Sequence, residues 1–164
     1  MLGSATDKLL RGLSAEDAQT RETAAWQLEE LISHRSDDRP ISSEEKVEIT
    51  KRLKDLLIQP KYVGYKSTLF WLLGKIDAEL ALLPWIQAVE VVYETLDEHS
   101  LWNALVALDN YQFAPGFNRL LSDALTGRNH KFFVEFISRC QGLSNEGHRE
   151  IANLVAERVI PLLS

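Results

Sequence analysis

The chain is short of several things, and each shortage removes a class of protein. Among 164 residues there is one cysteine, Cys140, so no internal disulfide can form. Its setting, HKFFVEFISRC, suits a buried small hydrophobe better than a reactive thiol. No long apolar run is present. The longest uncharged one, Leu80 to Val89, is far too short to cross a bilayer. The opening MLGSATDKLLRGLS lacks the apolar core of a signal peptide, and Gly3 is not at the position that myristoylation needs. A reducing cytoplasm is the expected location, with no membrane partner.

Recognisable chemistry is scarce as well. The eight glycines are scattered and follow no strand pattern, which argues against a phosphate cradle. His34, His99, His130 and His148 stand far apart, each near an expected helix end, so no metal site is expected. Asp97-Glu98-His99 places an acid beside a base. Adjacent helical residues point in different directions, however, and no nucleophile or G-x-S-x-G elbow accompanies them. The expectation is a protein that is not an enzyme and needs no cofactor.

The most informative shortage is of positive charge. The net charge is −6, but residues 39–75 carry 8 bases and 4 acids, whereas residues 76–118 carry 7 acids and no base. The other 121 residues hold all 18 bases, so chance is a poor explanation for a gap of that length. At its centre lies QAVEVVYETLDEHS. Gln87, Glu90, Glu94 and Asp97 recur at helical spacing with Glu98 alongside, which predicts an acidic stripe on one helix face. Such a field would steer and orient a basic partner more than it would add affinity. Tyr93, Trp102, Tyr111 and Phe113 could anchor it as aromatic contacts, with Asp109 adding charge.

What is abundant is helical periodicity. Apolar residues recur every three or four positions and no alternating strand pattern is present, so the expected fold is all-α over a single domain spanning 1–164. A short leader (1–13) precedes a first helix capped by Ser14, with Asp17 three residues on. Ser42 or Ser43 caps the next, which Gln59-Pro60 ends. A third helix spans about 62–76. Asp77 caps a fourth carrying Leu80, Leu83, Trp85, Val89, Val92 and Leu96 on one face, with Pro84 kinking or delaying it. Pro115 suits a first helical position. The helices pair into hairpins at about 15–59, 62–97, 100–126 and 130–163.

TAAWQLEELI at 23–32 aligns without gaps on STLFWLLGKI at 67–76, and WNALVALDNY at 102–111 follows the same small-apolar pattern. With FWLLGKI (Phe70 to Ile76) the chain resembles a HEAT-type helical repeat. That resemblance implies four hairpins stacked as a short α-α solenoid that serves as a binding scaffold, and it brings no catalytic residues. The later repeats are shorter than usual for that family. A small, acidic, single-domain binder is similar in class to immunity proteins, inhibitors of toxins such as nucleases with basic clefts. The expected partner is therefore a protein with a basic surface.

Two alternatives follow from the basic half. Lys51, Arg52, Lys54, Lys61 and Lys66, interleaved with Tyr62 and Tyr65, would form the nucleic-acid surface of a helical repeat using residues 46–66. Nucleic acid is the less favoured partner, given the net charge. An assembly scaffold, a monomer or weak homo-oligomer, would join the basic 39–75 segment of one copy to the acidic 76–118 segment of another.

Overall fold

The computed structural model describes residues 3–33, 41–60 and 65–163. Among them are nine α-helices and no strand: α1 (Ser4–Gly12), α2 (Ala18–Ser33), α3 (Ser43–Ile58), α4 (Lys66–Leu73), α5 (Ala78–Val92), α6 (Glu98–Tyr111), α7 (Phe117–Leu125), α8 (Lys131–Gln141) and α9 (Glu146–Val159). Short 3₁₀ turns occupy Tyr93–Thr95 and Ile160–Leu163. The segment expected as a leader is itself helical. Leu10 and Leu13 are buried, and Asp7 pairs with Arg52 of α3 at 3.2 Å.

Side-chain caps mark the starts of α2, α3, α6 and α9, whereas Asp77, expected to cap α5, holds the N-cap position without a side-chain capping bond. Ser42 accepts the Glu45 backbone N–H at 3.1 Å, as its position predicts. For α2 the cap is Asp17 rather than Ser14. Its carboxylate takes both the N–H and the hydroxyl of Thr20, at 3.0 and 2.7 Å, and these bonds lower its pKa. The helix after Pro115 also starts later than expected. Gly116 adopts φ +74 at the N-cap, so Pro115 lies in the preceding turn and α7 begins at Phe117.

Helices pack mainly on their next-but-one neighbours. The most extensive contacts are α4 on α6 and α3 on α5, extended by α2 on α4, α6 on α8 and α5 on α7. The α8–α9 pair packs on α6. The core runs continuously through these rows. At its centre Trp85 is fully buried, edge-on to Phe133 and Phe136, with its indole N–H donating to the Ala104 carbonyl at 3.1 Å. Truncating such a ring to alanine typically costs about 3–5 kcal/mol.

Because α5 is covered from several directions, its buried set is Ala78, Ala81, Leu82, Trp85, Ile86, Ala88, Val89 and Val92. Leu83, expected in the core, is turned outward and exposed. Pro84 lies within α5 without ending it. The Leu73-Gly74 pair, which carried the repeat resemblance, serves close approach. A Cβ on Gly74 would sit 3.2 Å from the Cα and Cβ of Ala107 on α6. The α4 terminus is then closed by α6, whose Tyr111 hydroxyl donates to the Leu73 carbonyl at 2.6 Å.

Candidate functional site

The acidic stripe does not lie on one helix. α5 ends at Val92, the chain makes a 3₁₀ turn, Leu96 is extended, and Asp97 starts α6 as its N-cap, accepting the Ser100 N–H at 2.8 Å. The reason lies in α8. The Arg139 guanidinium donates to the carbonyls of Tyr93 and of Leu96, the latter at 3.0 Å, and so satisfies acceptors that a longer helix would have bonded internally. Gln87 and Glu90 thus belong to α5, Glu94 to the turn, and Asp97 and Glu98 to α6.

Nor is the stripe wholly unanswered. Arg128 reaches Glu90 at 2.5 Å, and Lys46 approaches Asp77 at 3.7 Å. The Tyr93 hydroxyl donates to Glu135, a bond that with burial raises the phenol pKa well above its ordinary 10. Tyr93 is buried, and Gln87 only half-buried. Asp109 bonds Gln112 at 2.7 Å near the far end of α6, roughly 17 Å along the axis from Glu98. Trp102 is stacked on His148 of α9, with ring centroids 3.6 Å apart and planes within 5°. Tyr111 is core, and the exposed ring of Phe113 lies under Arg158 at 4.8 Å.

Three of the expected acids follow one another along the α5–α6 turn. Glu94, Asp97 and Glu98 are all exposed. Glu98 accepts the backbone N–H and the hydroxyl of Ser144 at 3.2 and 2.6 Å, which brings the α5–α6 turn against the α8–α9 turn. There Asn145 caps α9, and Glu146, its first residue, is also exposed. Four carboxylates therefore lie along this edge; of the bases beside it, Arg139 donates to the Tyr93 and Leu96 carbonyls, Arg149 to those of Leu143 and Ser144, and Lys131 lines a shallow depression with Glu94. Glu146, Ser144 and Arg139 escaped sequence reasoning because they lie more than forty positions from the stripe, and no local pattern links them to it.

The remaining candidates are dispersed. Among the described residues no group of three or more His, Cys, Asp or Glu could hold a metal ion. His130 contacts the Leu163 carbonyl through Nδ1 at 2.9 Å, while His34 lies outside the described residues. Asp97, Glu98 and His99 turn to three different surroundings: a helix cap, the α8–α9 turn and a cleft on the α2–α4–α6 side. In the basic strip, Arg52 pairs with Asp7, Lys54 with Asp55 at 3.4 Å, and the Lys66 ammonium donates to Leu57 O at 2.6 Å. Burial lowers the Lys66 pKa. Lys51 and Tyr65 are exposed, whereas Lys61 and Tyr62 lie outside the described residues.

The cleft on the α2–α4–α6 side was not anticipated. It measures about 600 Å³ and is lined by Arg21, Glu22 and Trp26 of α2, Trp71 of α4 and the adjoining Tyr65, and His99 and Asn103 of α6. No helix among the described residues is long and apolar enough to cross a membrane. No family model matches the chain, and no curated protein matches it either.

Proposed function

We propose that this protein is a non-catalytic, HEAT-like array of helical hairpins that binds a basic protein partner at the edge where the α5–α6 and α8–α9 turns meet. The observation that carries the reading is the row of exposed acids Glu94, Asp97, Glu98 and Glu146 along these two turns, where the adjacent Arg139 and Arg149 are each already bonded to two backbone carbonyls. A cluster of one sign accelerates and orients association with the opposite sign. Next-but-one helix packing, which stacked hairpins generate, supports the scaffold part of the proposal. Its most concrete form is an immunity-type inhibitor whose carboxylates occupy the phosphate positions of a toxin such as a nuclease.

The test is a capture experiment with the wild-type chain and a Glu94→Lys, Glu98→Lys, Glu146→Lys triple variant. Both are immobilised, exposed to native cell extract, and washed between about 0.02 and 0.5 M salt. The expected result is a basic protein retained by the wild type at low salt, released at high salt, and absent from the variant, whose helical circular dichroism is unchanged. Retention of the same protein by the folded variant would remove the edge from the account.

A further inference from the structure

The cleft across α2, α4 and α6 shares no residue with the acidic edge. Its walls are aromatic and its single carboxylate is Glu22. Trp26 and Trp71 meet edge-to-face, with centroids 5.2 Å apart and planes at 69°. Trp26 is 54% exposed and Tyr65 68%, unusual for such large rings unless something covers them.

Positive charge already favours this ring cluster. The Arg21 guanidinium carbon lies 5.9 Å from the Tyr65 centroid, and the Lys75 ammonium 5.6 Å from that of Trp71. Trp26, the ring type that attracts cations most strongly, has no cation over it among the described residues. Glu22 is exposed and neither accepts a hydrogen bond nor forms an ion pair among them. The two are four apart on α2, one helical turn, and helical side chains lean toward the N-terminus, so the indole is directed toward the turn that carries Glu22. Arg21 does not satisfy that carboxylate. Its Nη1 is held by the Ala15 and Glu16 carbonyls at 2.6 and 2.8 Å.

We propose that this cleft recognises an arginine side chain on an extended segment of a partner protein, its guanidinium lying flat on the Trp26 indole and paired with the Glu22 carboxylate. A planar guanidinium can stack on a ring and form two parallel hydrogen bonds to a carboxylate at once, whereas an ammonium acts as a point charge. The aliphatic stem would run over the Leu13 and Ala25 floor, and Asn103 and Thr68 would meet the segment's backbone.

The test uses the indole N–H signals of the ¹⁵N-labelled chain in two-dimensional NMR, titrated with an acetylated, amidated Gly-Ala-Arg-Ala-Gly peptide. Saturable shifts are expected at Trp26 and Trp71, with the fully buried Trp85 as an unmoved internal control. Citrulline in place of arginine, neutral but of the same shape, should bind about tenfold more weakly, and so should the arginine peptide to Glu22→Gln. Trp26→Ala should abolish the response at Trp71, and Trp26→Phe should restore part of it. Equal binding of arginine and citrulline peptides, equal binding of a lysine peptide, or no shift up to roughly 10 mM would each overturn the proposal. Substitutions at Glu94 and Glu146 should leave this titration unchanged, so the two proposals stand or fall separately.

Discussion

Cys140 is fully buried on α8, and that burial pushes its thiol pKa up to about 12, against a smaller opposing pull from Arg139. The native chain should therefore react with a thiol-specific reagent at least about a hundredfold more slowly than the unfolded chain, a ratio that follows from comparing the two states at neutral pH. This burial was legible from HKFFVEFISRC alone. Asp97 was not so easily read: the stripe pattern predicted an acidic face but not that the Asp97 carboxylate also caps α6. Hydrogen bonds from Ser100, backbone first, hold that carboxyl below the ordinary 3.8. The folded chain thus binds this proton less readily than the unfolded one, so the stabilisation is complete above 3.8 and fades as pH falls through the lower folded value. Asp97→Ala should cost about 1 kcal/mol at neutral pH. Asp97→Asn should retain most of the cap but lose the acid dependence, as denaturation midpoints between about pH 2.5 and 6 would show.

Some helix starts were readable from single side chains, as at Ser42, while Ser14 and Pro115 placed two others too early. How helices end depends on partners remote in sequence. The α5 terminus is decided by Arg139, which lies 46 positions from Tyr93, so periodicity through Val92 predicted a continuing helix. Arg139→Ala should cost about 1–3 kcal/mol by leaving acceptors unpaired. Lysine should recover only part of this, because it lacks the planar fork that reaches both carbonyls. Denaturant titration gives the magnitude, and faster amide exchange around Tyr93–Leu96 gives the location. At Gly74 two effects compete. Alanine would gain about 0.4–1 kcal/mol from reduced freedom in the unfolded chain, but its Cβ would press on the Ala107 backbone at 3.2 Å. Overpacking of this kind costs about 1–3 kcal/mol, so Gly74→Ala should lower the melting temperature. A substitution that raised it would mean that α4 and α6 can separate freely.

Across the whole molecule, periodicity was enough to read an all-α fold. The charge pattern could not be placed on a surface without the tertiary contacts. Residues 76–118 contain no base, yet Arg128, Arg139 and Lys46 fold back onto that segment and divide one inferred stripe into a paired region around Glu90 and an open edge around Glu98. The exposed cleft was equally hidden, since Trp26 and Trp71 lie 45 positions apart and no local pattern joins them. Burial is also uneven: α5 buries eight of its fifteen residues, but α9 only three of fourteen. Amide exchange should therefore be slowest in α5 and α6 and measurably faster in α9, as expected where each helix is secured by its neighbours alone. Uniform protection would indicate a single cooperative unit instead.

The bond between Glu98 and Ser144 spans 46 positions, and this separation has a consequence in time. A ribosome adding about 5–20 residues per second needs roughly 2–9 s to pass from the first to the second. Throughout that interval the carboxylates of the α5–α6 turn have been made without the residues that hold them in place. A nascent chain thus carries the charge before the shape, and only a finished molecule offers both.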